Sequence, residues 1–248
     1  IPEVIAVANS LIEKNRQRIP KDLRACRTQH GPTVWHHAKT SDDEAKWIAE
    51  GVRALHDGGI RYRDMVVLYR AHYASRPVEE AFLKAEIPHA VYSGVPFYGR
   101  KEIKDSLAYL RLVSYQDDLS FMRVANVPKR NLGQRRMAFL KDYAEVHACS
   151  LFQALEQTIE DELFKRTKAK QLVTLVRKFR GSFEGRPVSE VLAALINESG
   201  YEQVLRTEGS QERLDNVAEL KQSIYEFENS CGEEVTLEHY LSHVALLT

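Results

Sequence analysis

Hydrophobic spacing changes character partway along this chain, and that change limits the architectures open to it. Up to about residue 113, helical stripes alternate with short apolar runs. "PEVIAVANSLIEKN" carries apolar residues at Val4, Ile5, Ala8, Leu11 and Ile12, a helical spacing. "DDEAKWIAEGVRALHDGG" reads as an amphipathic helix capped by Ser41 or Asp42 and stopped by Gly58 and Gly59. "SRPVEEAFLKAEI" reads as a helix with Pro77 near its start. Between these lie "TVWHHA", "DMVVLYR" and "HAVYSG", which have strand length and β-rich composition. The continuous apolar run "DMVVLYR" predicts a strand buried on both faces. Alternation at this spacing predicts an α/β region, a partial parallel sheet with crossover helices. Beyond residue 114 the strand signals end, and every apolar stretch through "TLEHYLSHVALL" has spacings of three and four. The expected organisation is therefore an α/β part over 1–113 and an all-α part over 114–248.

The 248 residues have a formal net charge of zero, but the charges are segregated. Lys129, Arg130, Arg135, Arg136 and Lys141 form a run without acids. A second basic run spans Lys165 to Arg180, and acids dominate from Glu198 to Glu238. Basic and acidic faces follow from that distribution. The odd count of three cysteines, Cys26, Cys149 and Cys231, far apart in the chain, argues against a disulfide framework and agrees with a cytoplasmic protein. No apolar run approaches the ~20 residues of a membrane span.

Two stretches carry binding chemistry. In "GVPFYGRKEIKD", Phe97, Tyr98, Arg100 and Lys101 crowd a loop before a helix. Exposed aromatics beside cations are the components of a single-strand path, with rings under bases and cations along phosphates; the same residues could also cap a sheet edge. In "PKRNLGQRRM", a turn containing Gly133 precedes a cation-rich helix. A helix N-terminus presents unpaired N–H groups that suit phosphate, although a solvated surface turn would have the same composition. Arg70 ends the "VVLYR" run and Arg76 follows it, which suggests an anion site at a strand end, with Glu79 or Glu80 as alternative ion-pair partners. Catalytic signatures are missing: no glycine is followed by lysine, so there is no phosphate-binding G-x-x-x-x-G-K-[ST] loop, and there is no H-E-x-x-H.

"VVLYRAHYASRPVEEAFLKAEIPHAVYSGVPFYGRKEIKDSLAYLRLV" closely resembles the second motor domain of UvrD/PcrA/Rep-type DNA helicases of superfamily 1. "FMRVANVPKRNLGQRRMAFLKDYA", "ESGYEQVL" and "ERLDNVAELKQSIYEFE" resemble the helical subdomain inserted into it. The resemblance implies part of a RecA-like sheet plus that inserted subdomain. It implies a parent that is an ATP-driven 3′ to 5′ DNA helicase of repair or replication. ATP and Mg would belong to the parent, and this piece alone would hold no cofactor and would not hydrolyse ATP. The chain would begin just after the family's arginine-bearing motif and end before its last ATP and DNA motifs. The resemblance further implies single-strand contacts at Arg70 and His72, the latter where the family usually has asparagine. With Arg76, Phe97, Tyr98, Arg100 and Lys101 these make an expected strand path. The family's duplex-gripping "K-R-G-I-G" turn reads Lys129, Arg130, Asn131, Leu132, Gly133 here. Expected partners are single-stranded DNA and a duplex junction, the missing first motor domain, and repair proteins, with no membrane. The alternatives are a non-enzymatic protein-interaction module and a helicase subunit of a nuclease–helicase complex.

Overall fold

The computed structural model describes residues 1–16, 21–26, 28, 30–92, 94–183, 185–231 and 235–245. The chain forms two compact units, Ile1–Glu44 and Ala45–Thr248, and the division falls in the first turn of a helix. In the first unit, α1 (Pro2–Glu13) starts on a proline, whose missing N–H costs nothing at a helix start. None of its residues is buried. The Asn9 carboxamide exchanges two hydrogen bonds with the Leu23 backbone, at 3.0 and 3.2 Å. The segment "TVWHHA" is not assigned to a strand, and Val34 and Trp35 are exposed.

The predicted helices are where their periodicity puts them: α2 (Ser41–Asp57), α3 (Ser75–Lys84) and α4 (Lys101–Tyr115), then α5 (Asp118–Val124), α6 (Gln134–His147), α7 (Leu151–Thr158), α8 (Ala169–Phe179), α9 (Val188–Glu198), α10 (Tyr201–Thr207), α11 (Gln211–Ser230) and α12 (Leu237–Ala245). Thr40, not Ser41 or Asp42, caps α2, because its Oγ1 accepts from Asp43 N at 3.0 Å. Asp117 caps α5, accepting from Ser120 N at 2.9 Å. "PVSEVLAALINESGYEQVL" is two helices, α9 and α10, divided where Gly200 takes a φ of 78°. The acids Glu233 and Glu234 and the end of the last predicted helix, Leu246 and Leu247, lie outside the described residues.

The expected parallel sheet is not formed: among the described residues there is no strand. "DMVVLYR" is extended at Met65, with φ −109° and ψ 147°, but no other extended segment pairs with it among the described residues. Without a neighbour ~4.8 Å away there is no ladder. Val67 turns inward, whereas Val66 is 77% and Leu68 86% exposed, so the run is not covered on both faces. "HAVYSG" behaves likewise, with Tyr92 exposed; its Ser93 is outside the described residues. β-rich composition describes side chains suited to a pleated, half-buried surface, and the pairing has to come from elsewhere in the fold.

Two hydrophobic clusters organise the second unit. The smaller joins α2 and α3 through Ala49, Phe82 and Ile87, with Val52, Tyr62 and Val67 against them. The larger runs from Phe97 through α4 to α12 and includes Leu110, Phe121, Leu140, Phe152, Leu195 and Ile224. Leu195→Ala should cost about 2–5 kcal/mol by urea denaturation, the range for a large-to-small change in a packed core. Leu68→Ala should stay within about 0.5 kcal/mol, as for an exposed site. Equal losses at the two positions would mean that the "DMVVLYR" run is covered after all.

Candidate nucleic-acid interface

The turn between α5 and α6 is held by two side chains, the exposed Asn126 and the buried Arg130. The Asn126 carboxamide accepts from Leu132 N at 2.9 Å and Arg130 N at 3.3 Å, and donates to Leu132 O at 2.6 Å. Arg130, read from sequence as a phosphate contact, points inward and is 3% exposed. Its guanidinium donates to Val124 O and to the Tyr109 hydroxyl, each at 2.8 Å. That hydroxyl in turn donates to Val127 O. Burial pushes the Tyr109 pKa up, and Arg130 opposes the shift. Leu132 is also buried, as a knob in the large core. Lys129, Asn131 and Gly133 are left on the surface. Asn131 takes a left-handed φ of 62°, a conformation that asparagine tolerates better than most residues.

This turn borders a cavity of about 580 Å³. Lys129, Arg136 and Arg166 line it, beside Asn126, Asn131 and Gly133, and among the described residues no acid does. Arg136 is fixed by donating to Leu163 O at 2.7 Å and to Asn131 O at 3.0 Å. Arg166 is exposed and comes from the connection between α7 and α8. Gly133 is the N-cap of α6 and supplies no side-chain cap, and its carbonyl accepts from Arg136 N and Met137 N, each at 3.0 Å. Sequence reasoning did not place Arg136 or Arg166 in the site. Their only sequence signal was membership of the two basic runs.

The second expected surface is rearranged. Phe97 is 0%, Tyr98 5% and Arg100 7% exposed, so three of the four residues expected on the surface before α4 are buried. A 3₁₀ turn over Phe97–Gly99 directs both rings inward, edge to face at 5.1 Å. Gly99 permits that turn, since a Cβ there would lie 2.8 Å from Val95 Cγ1. The Tyr98 hydroxyl donates to Glu80 at 2.9 Å, and burial raises its pKa. Arg76 is 2% exposed and bonds Glu219 at 2.6 Å, Glu226 at 2.7 Å and Glu80 at 3.3 Å. Burial works against its charge, but Glu80, Glu219 and Glu226 outweigh that and raise its pKa. Arg70, His72 and Lys101 remain on the surface. His72 and Lys101 border a groove of about 950 Å³ together with Lys104, Arg123, Glu208 and Glu212. Glu212 approaches His72 Nε2 at 3.9 Å, and Lys101 pairs with Asp105 at 3.1 Å.

The burial pattern separates the two kinds of cation by stability. Arg130→Ala should destabilise by about 3 kcal/mol in urea unfolding, because it strands buried acceptors. Lys129→Ala should stay within about 0.5 kcal/mol. Near-equal effects would contradict the inward placement of Arg130.

All three cysteines are free thiols. Among the described residues no helix is long and apolar enough to cross a membrane, and no group of three or more His, Cys, Asp or Glu could hold a metal ion. The sequence is 32% identical over 251 residues to the ATP-dependent DNA helicase PcrA of Staphylococcus aureus strain Mu50, and likewise 32% to that of Staphylococcus epidermidis strain RP62A. Each match covers 98% of this chain and 34% of the relative, so the chain spans about a third of the length of these relatives. The profile of the UvrD-like helicase C-terminal domain matches residues 2–248, and the chain belongs to that family.

Proposed function

We propose that this chain is a DNA-gripping part of an ATP-dependent DNA helicase that moves 3′ to 5′ and serves repair or replication in the cytoplasm. ATP hydrolysis with Mg would be carried out by parts of the parent outside these residues, including its first motor domain. A phosphoryl-transfer site depends on a phosphate cradle and metal ligands; the sequence has no G-x-x-x-x-G-K-[ST] loop, and no group of three or more His, Cys, Asp or Glu that could hold a metal ion is found among the described residues. The segment before α4 is assigned to the second motor domain, and α4 to α12 to the inserted helical subdomain. Grouping α4 with the helical part is supported by its burial: most of its residues are enclosed, and it packs in the large core with α5, α9 and α11.

The observation that carries this reading is the cavity beside the α5–α6 turn, where Lys129, Arg136 and Arg166 surround exposed backbone at Asn131 and Gly133. Cations of this kind grip phosphate without reading sequence. Duplex backbone is the proposed ligand there. Single-strand contacts are assigned to the exposed Arg70, His72 and Lys101. Arg76, Phe97, Tyr98, Arg100, Arg130 and Leu132 support these surfaces from within.

Fluorescence anisotropy with a labelled single-strand/duplex junction, titrated with salt, tests the reading. Affinity should be indifferent to sequence and should fall steeply with salt. Lys129→Ala with Arg166→Ala should weaken duplex binding and flatten the log–log salt slope by about 2, close to 0.9 for each phosphate no longer neutralised. An unchanged slope would remove the cavity from the interface. Absence of binding by the parent chain at low salt would favour a protein-docking module.

A further inference from the structure

Arg100 joins the loop that carries the proposed strand contacts to a helix far along the chain. Its guanidinium donates to His72 O at 3.0 Å, to Ser75 Oγ at 2.9 Å and to Val95 O at 3.2 Å. The same group donates to Asn216 Oδ1 on α11 at 2.9 Å, across 116 positions of sequence. Asn216 is 1% exposed, and its Nδ2 donates to Glu102 at 2.7 Å. Its carboxamide therefore gives its acceptor to the arginine and a donor to the glutamate, which no aliphatic side chain and no single charge could do. One turn further along α11, Glu219 holds Arg76 at 2.6 Å, and two turns beyond that Glu226 holds it again at 2.7 Å. A single face of α11 thus grips both ends of the segment His72–Arg76.

We infer that Asn216 and Arg100 are positioning residues: through them α11 sets the conformation of the His72 loop and couples the helical part of the chain to single-strand contact. A shift of α11 breaks either the Arg100–Asn216 bond or the Arg100–His72 bond, because one planar guanidinium cannot follow two partners that move apart. Breaking either leaves a buried polar group unpaired, so the loop and the helix move together. The strand-contact part of this inference rests on the proposed function; the mechanical part does not.

Two measurements on the same variants keep these parts separate. Amide hydrogen exchange reads the loop without any ligand. In Asn216→Leu, exchange over His72–Arg76 should accelerate about tenfold or more, the equivalent of removing one hydrogen bond to a charged group. Exchange over Asn126–Gly133 should stay at the wild-type rate. Arg100→Lys keeps the charge but not the fork, and should accelerate the same segment if Asn216→Leu fails to fold. Wild-type exchange over His72–Arg76 in a folded variant, or acceleration spread evenly over the chain in both variants, would overturn the inference. By anisotropy, single-strand affinity should fall about three- to tenfold and duplex affinity should not change. Fast exchange with unchanged single-strand affinity would refute the coupling to strand contact. A wild-type chain that binds no DNA would instead refute the proposed function, and the exchange data would still decide whether α11 positions the loop.

Discussion

A buried guanidinium is tolerated only when acceptors surround it, and that requirement shapes the second unit of this protein. Arg76, Arg100 and Arg130 are all less than a tenth exposed. Each is enclosed by partners from more than one element: carboxylates of α3 and α11 for Arg76, loop carbonyls and Asn216 for Arg100, and the α5 end with a tyrosine of α4 for Arg130. Withdrawing any element would leave a charge in a low-dielectric interior, where it costs several kcal/mol. The three arginines therefore act as joints whose geometry is set by the directions of their N–H groups. Hydrophobic burial gathers the helices, but it is non-directional and would accept many small rotations that these joints do not.

The same division of labour separates framework from contact in the proposed interface. Buried cations form its inner side, and cations on short turns or helix starts form its outer side. Asp105 shows how the two meet: it accepts from the Tyr201 hydroxyl at 2.9 Å and pairs with Arg123 at 2.8 Å and Lys101 at 3.1 Å. Lys101 is thus tethered at the surface and held at the mouth of the groove near His72. At the α5–α6 turn, Arg136 plays a similar part, with its guanidinium fixed by two carbonyls beside the cavity.

Helices were legible in the sequence because their signal is local. Apolar spacing and a terminating Gly59 act within a turn or two of the residues they order. The "DMVVLYR" run was not legible in the same way. Its residues suit a strand, but a strand exists only with a neighbour, and the identity of that neighbour is not written in the seven residues themselves. The basic turn was legible as a place and not as a set of roles. Lys129 and Arg130 are adjacent and chemically alike, yet one faces solvent and the other the Tyr109 ring. Arg166 could be placed beside that turn only once the connection between α7 and α8 had been folded against α6.

By itself the sequence determined most of the helix positions, the segregation of charge and the family resemblance. These follow from residue type and short-range spacing. Only the tertiary structure decided which aromatics and cations are buried, which carboxylates pair with Arg76, and that Asn216 meets Arg100. Several of those outcomes depend on contacts between residues far apart in the chain, such as the 143 positions that separate Arg76 from Glu219. Side-chain chemistry limits which partners are acceptable; the packing of α11 against the loop before α3 selects the ones that meet.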